Sequence, residues 1–280
     1  MASSRRRKFA RNNSKKHWRI TMPTLEFRRI ARALIAILGA FPAIVFAEGI
    51  WSIDVGTEPS FVEVNDRDQT WWTNRIQATY RDSAVGGVFV AAESQTRESV
   101  TDPLFSAGGY RRLGDWTLIG QTGGSIDPDF VSQFFIEPQI SRRLFGTFVG
   151  QAGYLYREFP QSHIHVGSLS GIQYFKKGEV ELRTAYGKSL PLDRPIRVWT
   201  LRGLWDDGSA WAYGGTAAFG DNLFDAVNVP GAAGNRGWAV NINTRYRFDD
   251  RNSVRLDLTS GREEPAFRQH TLGLSYRRSF

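Results

Sequence analysis

The chain ends with FRQHTLGLSYRRSF, Phe267 to Phe280, and this stretch decides the fold class. Side chains on a β-strand alternate between its two faces, so one side of this strand is apolar and the other is small or polar. The apolar side carries Leu272, Leu274, Tyr276 and Phe280. A last strand of this kind would be an aggregation-prone edge in water. In a closed membrane barrel it pairs with the first strand, and its apolar side faces lipid.

The end of the strand is similar to the C-terminal assembly signal of bacterial outer-membrane barrels. That signal has a terminal Phe with apolar or aromatic residues at alternate positions before it, and Arg278 departs from the pattern. The resemblance implies that the barrel-assembly machinery binds Leu272, Leu274, Tyr276 and Phe280. Taken alone, the same alternation also fits the last strand of a soluble β-protein.

The excess positive charge of the chain lies in its first 47 residues. The formal net charge is +8, but 11 of the 36 Lys and Arg precede Glu48, together with one of the 28 acidic residues. The remaining chain is nearly neutral, which excludes nucleic acid as the expected partner. No cysteine is present, so disulfides, thiolate metal sites and a Cys nucleophile are excluded.

The first 47 residues are predicted to be a signal peptide with a basic N-terminal extension. The apolar run ALIAILGAFPAIVFA, Ala33–Ala47, is too short to span a bilayer as a helix, and Val45 and Ala47 suit a cleavage site before Glu48. Met22 offers a shorter start with a conventional signal. An uncleaved anchor and a twin-arginine signal at Arg6-Arg7 remain as alternatives, although the apolar run lies far from that pair.

From Glu48 to Phe280 the chain shows period-two segments separated by Gly, Asp, Asn or Pro, which predicts an all-β domain. About fourteen strands are expected, or twelve if neighbouring segments merge. The predicted strands are Ile50–Glu58, Thr70–Arg81, Ala84–Thr96, Pro103–Leu113, Asp115–Gly124, Phe130–Leu144, Phe145–Arg157, Ser162–Lys176, Gly178–Gly187, Pro195–Trp205, Ser209–Gly220, Arg236–Phe248, Asn252–Ser260 and Phe267–Phe280.

The connections between these strands alternate in length. Tight turns such as Lys177-Gly178 occur at one end, and longer segments such as Pro59–Gln69 and Asp221–Asn235 occur at the other. Short turns at one end and longer loops at the other are typical of a single antiparallel transmembrane barrel with periplasmic termini.

Alternation also predicts which side chains face the interior of such a barrel. In Arg236–Phe248, for example, Trp238 and Val240 oppose Asn241 and Arg245. The candidate lumen-lining residues are Arg75, Glu137, His163, His165, Glu181, Arg183, Arg202, Arg245, Arg255 and Asp257. Their mixed charges predict salt bridges that fill a narrow interior, or an arginine cluster that selects anions in a pore.

Three segments resemble the YaiO-type family of outer-membrane β-barrels: Gly108–Thr122, Asp129–Leu144 and the terminal TLGLSYRRSF. The resemblance covers most of Gly56–Phe280. It implies location in the cell outer membrane and contact with outer-membrane lipid. It implies no substrate and no functional residue.

Few residues suggest catalysis. His163 and His165, with Ser162, Ser168 and Ser170 nearby, could serve a hydrolase or bind a metal, but hydrogen bonding among polar residues of the lumen is the favoured explanation. The loop GAAGNRG, Gly231–Gly237, precedes a strand rather than a helix and is not a P-loop. No cofactor is expected.

The sequence therefore predicts an integral outer-membrane barrel that acts as a small pore or as an export or transport component of the envelope. A barrel enzyme acting on lipid or peptide is the alternative. A soluble β-sandwich that binds a ligand is a third hypothesis.

Overall fold

The computed structural model describes residues 49–223, 236–265 and 267–280. The predicted signal peptide, residues 1–47, and most of the glycine-rich loop Gly231–Gly237 lie outside these residues.

The described residues form one closed, antiparallel barrel of fourteen strands, in which each strand pairs with its neighbours in sequence and β1 pairs with β14. The strands are β1 Ile50–Val64, β2 Arg67–Asp82, β3 Gly86–Arg97, β4 Val100–Leu113, β5 Trp116–Gly124, β6 Phe134–Phe145, β7 Phe148–Glu158, β8 His163–Phe175, β9 Gly178–Leu190, β10 Arg194–Asp206, β11 Trp211–Asp221, β12 Gly237–Arg247, β13 Asn252–Glu263 and β14 Phe267–Ser279. The predicted all-β class and the count of fourteen strands are confirmed.

The seam between β1 and β14 closes the barrel and removes the sheet edge. Its register runs from Ser52 opposite Ser279 to Val64 opposite Phe267, and the hydroxyls of Ser60 and Thr271 lie 2.7 Å apart. With every strand paired on both sides, the sheet has no free edge, as a hydrocarbon environment requires.

The strands are longer than predicted, and this changes the loops. Residues Pro59–Gln69 were expected to be a loop, but β1 and β2 continue through them to the two-residue turn Asn65-Asp66. Both turn residues have positive φ, 51° and 63°, which Asn and Asp tolerate better than most residues. Pro59 fits because β1 keeps its register with β2 there, whereas the register with β14 is interrupted at Glu58 and Pro59.

The difference in connection length between the two ends of the barrel is smaller than predicted. We call the end that holds Gly49 and Phe280 the terminal end, and the opposite end the loop end. At the loop end, Glu98-Ser99 is as short as the turns at the terminal end. The longer connections are Ser125–Gln133 and residues 222–236, both at the loop end.

The outer wall of the barrel is apolar. Exposed aliphatic side chains occupy its middle, among them Val55, Ile76, Val90, Leu182, Leu201, Ile242, Leu258 and Leu274. Exposed aromatic residues flank them, with Trp51, Trp116, Trp205 and Trp211 toward the terminal end and Phe61, Trp72, Phe219 and Trp238 toward the loop end. An outward apolar band between two aromatic girdles is the surface of a barrel that spans a membrane. The described residues contain no helix long and apolar enough to cross a bilayer.

Candidate functional site

The inward face of the barrel carries its charges. Direct strand partners share a face, so the pairing registers assign each side chain to the inside or the outside. Eight of the ten predicted lumen residues lie on the inward face: Arg75, Glu137, Glu181, Arg183, Arg202, Arg245, Arg255 and Asp257. The inward acids Asp54, Glu58, Glu93 and Asp206, and the inward Arg277, were not among the candidates. Counting in steps of two from Arg202 would have found Asp206, whereas β1, β3 and β14 held no lumen candidate from which to count.

Glu137 on β6 is the centre of a polar network on one wall of the lumen. Its carboxylate accepts hydrogen bonds from Gln121 on β5 at 2.6 Å and from Gln139 at 2.7 Å. Arg183 on β9 lies 3.6 Å from the same carboxylate, although β7 and β8 separate the two strands in the sheet. This contact therefore crosses the lumen space, which shows that the two side chains point inward.

Paired charges continue around the barrel on β9, β10 and β12. Arg202 lies 3.1 Å from Glu179 and 3.7 Å from Glu181. Farther along β10, Asp206 binds Arg245 at 2.7 Å and also binds Arg247. Each arginine offers several N–H donors in a planar fork, so one guanidinium can contact two carboxylates. The lumen charges are therefore largely compensated by direct partners.

The seam strands enclose a polar cavity on the opposite wall, with a volume of about 330 Å³. Its lining side chains include Asp54, Glu58, Arg75, Arg245, Arg255, Asp257 and Arg277. Two of these pairs are close, with Arg277 2.6 Å from Asp54 and Arg255 2.6 Å from Asp257. The cavity therefore presents both signs of charge to any solute that enters it.

Toward the loop end the lumen becomes apolar. Val62, Ile164, Val166, Ile196, Val198 and Phe267 come from β1, β8, β10 and β14 and form one buried cluster with Phe159 and Leu223 from the connections. Ile164 has no exposed surface. A layer of buried apolar side chains inside a barrel opposes the passage of water and ions.

The prediction that His163 and His165 face the lumen is wrong. Their neighbour Ile164 is buried on the inward face, and Ser168, which receives a hydrogen bond from Arg183 at 3.0 Å, is on that same face. The histidines therefore point outward, where His165 Nδ1 lies 2.6 Å from the Tyr154 hydroxyl. They sit near the end of β8, at the depth of lipid headgroups, where polar side chains on the outer wall are tolerated.

This placement also separates the groups considered for catalysis. Ser168 and Ser170 face inward, so neither shares a face with the histidines. Within the part of the chain that the structure describes, no group of three or more His, Asp or Glu residues is arranged to hold a metal ion.

The four residues of the predicted assembly signal lie on the outer wall. Leu272, Leu274, Tyr276 and Phe280 are all exposed there. Arg278 shares this wall, and its guanidinium carbon lies 5.4 Å from the centre of the Phe280 ring.

No protein-family model matches the chain, and no curated protein matches its sequence. Among solved structures it is similar to the KdgM porin, with 10% identity and a TM-score of 0.46 over 81% of this chain and 99% of that chain. Omp33 of Acinetobacter baumannii gives 13% identity and a TM-score of 0.49 over 82% of this chain and 99% of that one. The CymD monoaromatic hydrocarbon channel gives 9% identity and a TM-score of 0.49 over 83% and 88% of the two chains.

The protein itself combines a closed sheet with an apolar outer wall, aromatic girdles and a charged lumen. Those features define a transmembrane β-barrel of the outer-membrane type.

Proposed function

We propose that this barrel is a pore for small polar solutes in the outer membrane, normally closed at its loop end. The observation that carries the proposal is the cavity of about 330 Å³ in the lumen, lined by charges of both signs. A barrel serving only as an anchor would need no such interior, since apolar side chains could fill it without the cost of burying charge.

The charge arrangement determines what the pore would favour. Inward arginines stand beside carboxylates throughout, so the field inside has no single sign. Such an interior suits zwitterionic or neutral polar solutes better than simple anions or cations. The expected ion selectivity is therefore weak.

Planar-bilayer recording across a salt gradient tests the proposal. We expect brief openings with a reversal potential near zero. Arg255→Gln removes a cavity charge and should shift the reversal potential toward that of a cation-selective pore. Arg278→Gln is the matched control, because Arg278 lies on the outer wall. The proposed pore would be wrong if folded protein never conducts, even after the apolar cluster at the loop end has been opened by substitution.

Within this class we infer kinship with the YaiO-type barrels. Support comes from Gly108–Thr122, Asp129–Leu144 and the terminal strand. A profile built from homologues of this chain should align all three segments with YaiO-type sequences, and failure to align them would refute the kinship.

The same proposal assigns the terminal end to the periplasm and β14 to the barrel-assembly machinery. Support comes from the outward apolar row that ends in Phe280. Site-specific crosslinking from the position of Phe280 during assembly in cells tests this contact, and absence of any crosslink to the machinery would contradict it.

A further inference from the structure

The connection Ser125–Gln133 between β5 and β6 folds inward rather than away from the barrel. Val131 contacts Leu104 and Phe135, and the Phe130 ring contacts Arg97. The strand registers place all three partners on the inward face of the sheet. The base of the connection is closed by two backbone hydrogen bonds, from Ser125 N to Ser132 O at 3.1 Å and from Gln133 N to Glu158 O at 2.8 Å. The segment is therefore an ordered element that lies over part of the loop-end mouth.

Asp102 holds this segment from β4. Its Oδ2 accepts hydrogen bonds from the backbone N–H groups of Asp129 at 3.0 Å, Phe130 at 2.8 Å and Val131 at 3.1 Å. The Asp102 residue is only 3% exposed. A buried carboxylate that accepts three N–H donors makes strong, charge-assisted bonds, and these bonds depend on a single side chain.

Apolar and aromatic contacts complete the attachment. Val131 is fully buried against Leu104 of β4 and Phe135 of β6. The guanidinium carbon of Arg97 lies 4.2 Å from the centre of the Phe130 ring and 4.2 Å from the centre of the Trp71 ring, so Arg97 links the segment to the barrel wall. Arg97 and Trp71 are direct partners on the inward face of β3 and β2.

The segment can leave this position without disturbing the sheet. The pairing of β5 with β6 begins at Gly123 opposite Phe135, so the residues of the segment lie outside the paired part of these two strands. The tip of the segment, Ile126 and Asp127, is already exposed. Movement would break the bonds to Asp102 and empty the Val131 pocket, while leaving every strand pair intact.

We propose that Ser125–Gln133 is a lid over the loop-end mouth of the pore and that Asp102 is its latch. The role of the lid as a gate rests on the proposed pore, whereas the motion of the lid does not. Opening exposes the Val131 pocket and the Arg97 side chain to the mouth, and closing restores the three bonds to Asp102.

Thiol labelling measures the motion directly, because the protein contains no cysteine and a single introduced thiol is therefore unique. Val131→Cys is labelled with a membrane-impermeant maleimide in the otherwise unchanged barrel and with Asp102→Ala added. We expect labelling to be about tenfold faster or more without the latch, since three charge-assisted bonds are lost. Asp129→Ala is the matched control: it removes an exposed carboxylate from the same segment and should change the rate less than about twofold.

Two further measurements check that each variant is folded and that the labelling rate follows the number of bonds lost at Asp102. Heat-modifiable gel migration establishes that each variant is folded, and Asp102→Asn, which retains one acceptor oxygen, should give an intermediate rate. Equal labelling with and without Asp102 in folded protein would overturn the lid. Faster labelling together with a higher open probability in bilayers supports both the lid and the pore. Faster labelling with unchanged conductance supports the motion and overturns its role as the gate.

Discussion

Substitution of Ile242 by arginine tests whether hydrocarbon surrounds the outer wall. Ile242 lies in the middle of β12, is 57% exposed and has Gly215 and Leu258 as its outward neighbours. An arginine at the midplane of a barrel's lipid face costs about 2–4 kcal/mol, and every 1.4 kcal/mol is tenfold in an equilibrium constant. We therefore expect Ile242→Arg to lower the folding equilibrium constant by a factor of about 30 to 700.

The next residue along the chain provides the matched control. Asn243 faces the lumen opposite Asp257 on β13, and on its other side its amide lies over Gly214, which has no side chain. An arginine at Asn243 would point into the charged interior and gain a carboxylate partner. We expect Asn243→Arg to change the free energy of unfolding by less than about 1 kcal/mol, within the range of an ordinary exposed ion pair.

The assay is reversible urea unfolding in lipid vesicles, followed by tryptophan fluorescence and by heat-modifiable gel migration. Equal losses of stability in the two variants, or a larger loss for Asn243→Arg, would refute the assignment of inside and outside. That result would mean that the apolar residues form a protein interior, and the membrane-spanning class would fail with it.

Three more predictions concern the ends of the chain and its turns. Phe280→Ala should reduce the amount of folded barrel in the outer membrane several-fold, whereas Ser279→Ala should not, as quantitative blotting of membrane fractions will show. Mass spectrometry of the mature protein should place its N-terminus at Glu48, and any retained residue from the first 47 would contradict the predicted cleavage. In the turn after β12, a hydrogen bond from the Asn252 side chain and others from the backbone N–H groups of Arg251 and Asn252 hold the pKa of Asp249 below its ordinary value of 3.8. A lowered pKa contributes stability above the unfolded pKa that is lost as pH falls through the folded pKa. Asp249→Ala should therefore reduce the free energy of unfolding at neutral pH, and the difference from the unmodified protein should shrink as the pH falls below 3.8.

The alternation of side chains made the barrel predictable from sequence. The outward row Leu272, Leu274 and Tyr276 and the inward Arg255 and Asp257 follow directly from a period of two. A one-residue shift would exchange the faces, so each strand with a clear apolar row fixes its own orientation. The strand count followed because turn residues separate most of these rows.

The errors occurred where the pattern carries less information. His163 and His165 lie near the loop end, where the outer wall meets headgroups and polarity no longer distinguishes inside from outside. The sequence pattern predicts a loop from Pro59, because it does not show that the interrupted pairing at the β1–β14 seam can accommodate a residue without an N–H. The lid leaves no signal in the sequence for another reason: the hydrogen bonds that Asp102 accepts from the N–H groups of Asp129, Phe130 and Val131 join residues 27 to 29 positions apart, and no local pattern encodes them.

Gating and ion selectivity should depend on different parts of this barrel. The charged residues of the lumen, here called the charged belt, extend from the cavity near the terminal end to the middle of the strands, whereas the apolar cluster and the lid lie at the loop end. Asp102 and Arg255 share no hydrogen-bond or ion-pair partner among the described contacts, so their effects are expected to add. Asp102→Ala should raise the open probability without moving the reversal potential, and Arg255→Gln should do the reverse. The double variant, recorded in planar bilayers, should show both changes at their single-variant sizes. A reversal potential that shifts when only the latch is removed would mean that the lid itself carries the selectivity, and the division of roles between belt and lid would be wrong.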